Sequence, residues 1–219
     1  MKNLVAVLMG GSSGEREISF LTGRACSNAL KKKGYRVKEI DGKGDFVSKL
    51  KKIKPRLVFN ALHGKFGEDG YVQTILDVLK IPYTHSGAVA SNLAMDKALS
   101  RIIFNKNNLR TPKYFLINKD NKSSVKIKIK KKRIKFPIVI KPVNEGSSLG
   151  VYICKNRMRF KSKYKKLTKE YDRILVEEYI PGREIQVAVM GKRALGAIEL
   201  VPRRQFYDYT AKYSNTAQT

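Results

Sequence analysis

Cysteine is nearly absent. Cys26 and Cys154 are the only two in 219 residues, and no Cys-x-x-Cys spacing occurs. Neither a disulfide framework nor a cysteine-held zinc is expected. Long apolar runs are lacking too. The one nearest the N-terminus covers residues 4–9 and is stopped by Gly10 and Gly11. That is too short for a signal-peptide core and far too short to span a bilayer, so the cytoplasm is the expected compartment. Neither GxGxxG nor a Walker A sequence is present, which argues against a P-loop enzyme. Acidic residues are scarce: 18 stand against 46 lysines and arginines, for a formal net charge of +28. A nucleic-acid binder would carry such an excess. The lysines, however, spread over segments expected to be surface helices (residues 31–33, 49–54 and 161–169), with one dense stretch at 126–135. Aromatic residues do not interleave with them as a stacking platform would require. The charge reads as a solvated surface, with neither nucleic acid nor membrane as partner.

What is present is an ordinary globular composition, 42% hydrophobic and 29% charged. The length suffices for one large domain or two smaller ones with buried cores. Strands expected at residues 3–9, 35–40 and 56–62 alternate with helices at 15–33, 46–53 and 70–79, and a short extended piece follows at 82–84. That order predicts α/β architecture with a parallel sheet, a Rossmann-like first domain over residues 1–90. A helix at 91–107 opens a second region, 91–181, with strands at 136–140, 149–154 and 173–179. Alternating Lys and Ile at 125–129 suggests another strand there. A hairpin at 184–190 and 193–201 turns about Gly191-Lys192 and begins a third region, 182–219, which reads as incomplete. No internal repeat or disordered tract is visible.

Four loops could carry chemistry. Gly10-Gly11-Ser12-Ser13-Gly14-Glu15 joins a strand to a helix N-terminus, a geometry that favours an anion; equally, Ser12 and Glu15 have capping-box spacing. His63 lies in a glycine-rich loop, residues 61–70, just after a strand, where doubly wound sheets bind ligands; it serves either catalysis or loop order. His85 reads as structural. Lys141 ends an apolar strand, where a buried ammonium needs a partner. The loop Asn144-Glu145-Gly146-Ser147-Ser148-Leu149-Gly150 follows at once and can wrap phosphate oxygens while Lys141 supplies countercharge. The alternative is a plain hairpin loop with Lys141 paired to a carboxylate. Glu177-Glu178-Tyr179-Ile180 then ends a strand, with Glu184 close behind; a strand edge of this kind can read a base, and a carboxylate can take ribose hydroxyls.

Taken in order, these segments resemble the D-alanine–D-alanine ligase family. The matching pieces are Gly10-Gly-Ser-Ser-Gly-Glu-Arg-Glu-Ile-Ser19, Ala61-Leu-His-Gly64 with Gly67-Glu-Asp-Gly70, and Tyr83-Thr-His-Ser-Gly87. Met95-Asp-Lys97, Ile140-Lys-Pro142, Glu145-Gly-Ser-Ser148 and Phe206-Tyr-Asp-Tyr-Thr-Ala-Lys-Tyr213 complete them. The resemblance implies an ATP-grasp fold, with residues 91–181 as the central subdomain and 182–219 as the start of a truncated second one. It implies ATP and magnesium (or manganese) as cofactors, D-alanine as substrate, and peptidoglycan synthesis as the destination. Lys97, Lys141 and Lys212 would contact nucleotide phosphates, with Glu145, Ser147 and Ser148 in the loop that closes over them. Glu177, Glu178, Tyr179 and Ile180 would line the adenine pocket, and Glu184 would take the ribose. Glu15 would hold the ammonium of the first D-alanine beside His63, in a network with Ser147 and Tyr213. A homodimer through the first domain suits the family.

Two departures stand out. The family's metal ligands lie in a segment bearing Glu-x-Asn, and no Glu-x-Asn occurs in this chain; the metal ligands are therefore expected beyond residue 219, and residues 1–219 alone are expected not to make the dipeptide. Glu178 stands where many members carry lysine. Rival readings are a relative that uses D-lactate or D-serine second, or a basic nucleic-acid-binding protein. Tyr213 after Lys212 favours D-alanine. In a version extended to the family's full length, Tyr213→Phe is expected to keep ATP binding and loosen the choice of second substrate, because it leaves loop hydrogen-bond partners unpaired. Competition between D-alanine and D-lactate reads this out; an unaltered product ratio at normal turnover would sink it.

Overall fold

The computed structural model describes residues 4–119 and 125–201, the side chains of 126 and 127 excepted. The chain divides into two compact units, residues 1–100 and 101–219.

In the first unit the apolar run Leu4–Met9 forms β1, buried from Val5 onward. A strand so apolar on both faces belongs in the middle of a parallel sheet covered on each side. β1 indeed lies between β2 (Arg36–Asp41) and β3 (Leu57–Asn60), and both pairings are parallel. Tyr83 extends the sheet beyond β3 through a parallel bridge to Val58. Helix α1 (Arg16–Lys32) covers one face, over Val7 and Met9, while α2 (Phe46–Ile53) and α3 (Tyr71–Val78) cover Ala6, Leu8 and Val58 on the other. Close seating of α1 comes from the buried small residues Ser19, Gly23 and Ser27, spaced four apart on one helical stripe.

Residues 88–106 form two helices, α4 (Ala88–Met95) and α5 (Lys97–Lys106), where the sequence suggested one. The break is Asp96, whose backbone is extended and whose carboxylate accepts from the N–H groups of Ala98 (2.9 Å) and Leu99 (3.0 Å). Aspartate competes for such N–H groups and so starts helices more readily than it continues them.

The second unit holds β4 (Tyr114–Asn118), α6 (Val125–Lys131), β5 (Ile138–Pro142), β6 (Tyr152–Cys154), α7 (Arg157–Glu170) and β7 (Arg173–Glu178). Its antiparallel sheet runs β4-β7-β5-β6. One face, with Phe115, Ile117, Ile138, Ile140, Ile174 and Val176, packs with Phe160 and Leu167 of α7. The strand expected at 125–129 is helical instead. Its Lys/Ile alternation mimics period two, but Val125 and Ile129, four apart, both pack against this core. Finally β8 (Glu184–Met190) and β9 (Arg193–Leu200) form a hairpin whose apolar side chains, Ile185, Val187, Leu195 and Ile198 among them, are exposed. No helix among the described residues is long and apolar enough to cross a membrane.

The seating of α1 is testable. Alanine normally outranks glycine inside a helix by about 1 kcal/mol, yet a Cβ at Gly23 would sit 2.6 Å from Met9 Cβ. Overpacking of this kind costs about 1–3 kcal/mol, so Gly23→Ala is expected to lower the denaturation midpoint. A gain in stability would show that α1 has room to lift.

Candidate functional site

The carboxyl ends of the three parallel strands bring two loops of the first unit together. After β1 the chain turns through Gly10 and Gly11, both at positive φ. Only glycine fits at Gly10, since a Cβ there would lie 2.6 Å from Asp41 Oδ1 and 2.7 Å from the Phe20 ring. Asp41, the last residue of β2, and Arg16, the first of α1, clamp this turn. The guanidinium donates to both Asp41 oxygens (2.9 and 2.6 Å) and to the Gly11 carbonyl (2.7 Å). Asp41 Oδ1 also accepts from the N–H groups of Gly11 (3.2 Å) and Lys43 (2.9 Å). Arg16 above all, and then these two N–H groups, hold the Asp41 carboxyl well below the usual carboxylate range, against the opposing effect of burial.

Glu15 is buried and caps α1. The capping box with Ser12 does not form: Glu15 N–H donates instead to Ser13 Oγ (3.2 Å), which itself donates to the His63 carbonyl (2.7 Å). Gly64 closes the approach from the other loop; a Cβ on it would be 2.8 Å from Glu15 Oε2. His63 Nε2 meets Thr22 Oγ1 at 3.1 Å, and its Nδ1 lies 3.8 Å from Glu68 Oε1. Glu68 Oε2 accepts from Gly64 N–H at 2.9 Å. Desolvation pushes the Glu68 carboxyl above its ordinary value; the Gly64 N–H and His63 pull it down, and the charge of Glu15 pushes it up again. Glu15 and Glu68 therefore concentrate negative charge beside His63. A cavity of about 180 Å³ opens alongside, lined by Gly10, Gly11, Gly42, Leu62, His63 and Phe66 among others. His85 meets Thr84 Oγ1 (2.9 Å) and packs edge-to-face with Phe59.

In the second unit the sheet face opposite the α7 core carries charge. Glu177 of β7 stands in register with Val139 of β5 and Tyr114 of β4, and Lys141 lies two residues beyond Val139. Diagonal neighbours on one face are within reach of long side chains, and Lys141 Nζ donates to Glu177 Oε1 at 2.5 Å. Arg101, from α5, donates to Glu177 Oε2. Its guanidinium also donates to the Pro112 carbonyl (3.0 Å) and lies 4.8 Å from the centre of the Tyr114 ring. Glu177 and Arg101 are buried. The pairing of Lys141 with a carboxylate is thus real, and it leaves other N–H groups of the ammonium for a ligand.

The loop after Lys141 holds Ser147 (φ 47°) and Ser148 (φ 61°) in the left-handed region, followed by Gly150 (φ 68°). Each serine costs about 1–2 kcal/mol there, a form of strain that gathers at ligand clamps. Glu145, Ser147 and Ser148 are half-buried, as is Lys97 at the start of α5. Glu178 takes the Lys113 N–H on its carboxylate (2.9 Å) and gives its own N–H to the Lys113 carbonyl (3.0 Å). Tyr179 is half-buried, while Ile180 and Glu184 are exposed. Lys212 and Tyr213 lie outside the described residues. Arg101, Asp41 and Thr22 were not singled out by sequence, and Ser13 entered only as one residue of the glycine–serine turn. Asp41 had a signal, its position at a strand's carboxyl end; Arg101, 76 residues from Glu177, had none.

Two family models match the chain: D-ala D-ala ligase N-terminus over residues 42–86 and D-ala D-ala ligase C-terminus over residues 103–219. The D-alanine–D-alanine ligase of Pelagibacter ubique is 52% identical across the whole chain, which covers 71% of that relative. The one from Wolbachia pipientis wMel is 44% identical over 96% of the chain, which covers 65% of its length. A crystal structure of the Bacillus anthracis D-alanine–D-alanine ligase matches 98% of the chain and 70% of its own, with TM-score 0.84 and 31% identity. The same enzyme complexed with ATP matches 92% of this chain and 66% of its own, at TM-score 0.81 and 29% identity.

The Arg16–Asp41 clamp has a pH signature. Its folded-state carboxyl titrates below the unfolded value of about 4, so its stabilisation is complete above that pH and lost as pH falls towards the folded value. Asp41→Asn is expected to destabilise at neutral pH by about 1 kcal/mol or less, the pair being a third exposed. Denaturant melts in steps from about pH 6 to pH 2 should show the gap to the parent narrowing below about pH 4. A constant gap would mean the pair contributes nothing through its charge.

Proposed function

The chain belongs to the D-alanine–D-alanine ligase family, and on that premise we propose that it serves the ATP-dependent joining of two D-alanines for peptidoglycan synthesis. The observation that carries this reading is Lys141, held on a strand by Glu177 and followed by a loop with two serines in left-handed conformation. Lys141 and Lys97 take nucleotide phosphates, and the loop with Glu145, Ser147 and Ser148 folds its N–H and hydroxyl groups onto them. Glu177 to Ile180 offer a strand end to adenine, and Glu184 takes the ribose.

In the first unit Glu15, reinforced by the charge of Glu68, receives the ammonium of the first D-alanine beside His63. A carboxylate oxygen of that D-alanine attacks the γ-phosphorus of ATP and ADP departs, leaving an acyl phosphate. The amine of the second D-alanine attacks the acyl carbon, phosphate leaves, and the nitrogen gives up a proton. Positioning and charge neutralisation are what such a reaction asks of protein groups. The family implies magnesium, which would neutralise phosphate oxygens. Among the described residues no group of three or more His, Cys, Asp or Glu side chains fits a metal ion, so no step is assigned to it. Dependence on ATP puts the work in the cytoplasm.

Calorimetry tests the reading. Lys141→Ala is expected to weaken ATP binding about ten- to a hundredfold, the value of one charge-assisted contact, and to spare D-alanine. Equal ATP affinity in parent and variant would remove Lys141 from the phosphates.

A further inference from the structure

The cluster on the second sheet contains more cation than its carboxylate needs. Arg101 and Lys141 end on the two oxygens of one group, Glu177, so the trio carries one positive charge in excess. Burial differs across it: the Glu177 and Arg101 side chains are 7% and 10% exposed, and Lys141 18%. Arg101 is fixed on three sides, by Glu177, the Pro112 carbonyl and the Tyr114 ring. It therefore stays on Glu177 whether or not an anion is present, while Lys141, the more exposed of the two cations, faces the choice.

We propose that Arg101 is a positioning residue for polyphosphate binding: by taking one oxygen of Glu177 permanently, it keeps Lys141 a net cation. The inference rests on Lys141 being a phosphate ligand. Without Arg101 the whole charge of a buried carboxylate falls on Lys141, because leaving that charge uncompensated is costly. The cluster becomes neutral, and the ammonium is bound to Glu177 more tightly than to an incoming anion. Removing the charge of Glu177 as well returns the excess. Charge balance, and not the presence of an arginine as such, is what the site requires.

The test compares the parent with Arg101→Met, the double variant Arg101→Met/Glu177→Gln, and Lys141→Ala. Inorganic tripolyphosphate and adenosine serve as separate probes of the phosphate and base sites, since Glu177 also borders the proposed adenine strip. Arg101→Met is expected to lose about tenfold in tripolyphosphate affinity and nothing for adenosine; the double variant should recover most of the loss. A readout that needs no nucleotide is the rate at which the Lys141 amine reacts with an acylating reagent, followed by peptide mass spectrometry. It should fall several-fold in Arg101→Met and recover in the double variant. If Lys141→Ala leaves tripolyphosphate binding unchanged, the phosphate reading fails and the Arg101 proposal falls with it, even where labelling still reports the pairing. If Lys141→Ala weakens binding and Arg101→Met does not, Arg101 alone is wrong. Should Arg101→Met not fold, the double variant, in which no buried carboxylate is left and the one remaining charge is the more exposed Lys141, decides: parent-like phosphate affinity supports the proposal, and a tenfold loss in a folded protein overturns it.

Discussion

A single buried carboxylate organises the second unit. Taking Glu177 out of water costs several kcal/mol, and the fold meets that cost with two cations delivered from different elements: Lys141 from the neighbouring strand and Arg101 from α5. The strand register follows the same demand. Val139 must stand opposite Glu177 for Lys141 to lie on the diagonal; a one-residue slip of β5 would turn Lys141 to the apolar face, towards Ile174, Val176 and Phe160, and turn Ile138 and Ile140 out of it. The charged face and the hydrophobic face thus fix one another, and the loop that follows Lys141 inherits its position from both.

The first unit solves a similar problem with similar means. A strand ends, a turn of glycines brings backbone close to a site, and an ion pair from flanking elements holds the turn. There the pair is Arg16 with Asp41, and it grips Gly11 through both its carbonyl and its N–H. Being a third exposed, that pair contributes less energy than geometry. Its importance is that Glu15, one residue before Arg16, is placed by the same turn, and that the Ser13 bridge to His63 ties it to the second loop.

Most of the strands and helices were legible in the sequence because their patterning is strong. An all-apolar run such as Leu4–Met9 has few other options, and the glycines after β1 and β3 mark where those strands end in turns. The failures share a cause: a local rule was met by two structures and long-range contact chose between them. Lys/Ile alternation at 125–129 satisfied the strand period, yet positions 125 and 129 also satisfy a helix face, and the core of the sheet selected the helix. Asp96 interrupts a helical pattern that its neighbours would continue. The candidate site was legible as motifs, Glu15, His63, Lys141 and the serine loop, but not as a network. Nothing near Lys141 in sequence announces Glu177, and nothing near Glu177 announces Arg101, because sheet register and helix packing alone bring them together.

The two populations of charge in this protein answer differently to ionic strength. A formal net charge of +28 makes the folded chain repel itself, and for the exposed charges added electrolyte relieves that repulsion within a Debye length of about 8 Å at physiological concentration. The charges around Glu177 are sheltered from the same ions by burial. Raising the salt therefore relaxes the exterior without loosening the interior cluster. A lysine-laden surface and a charge-dependent site can then coexist in one small molecule, because the surrounding electrolyte reaches only the first.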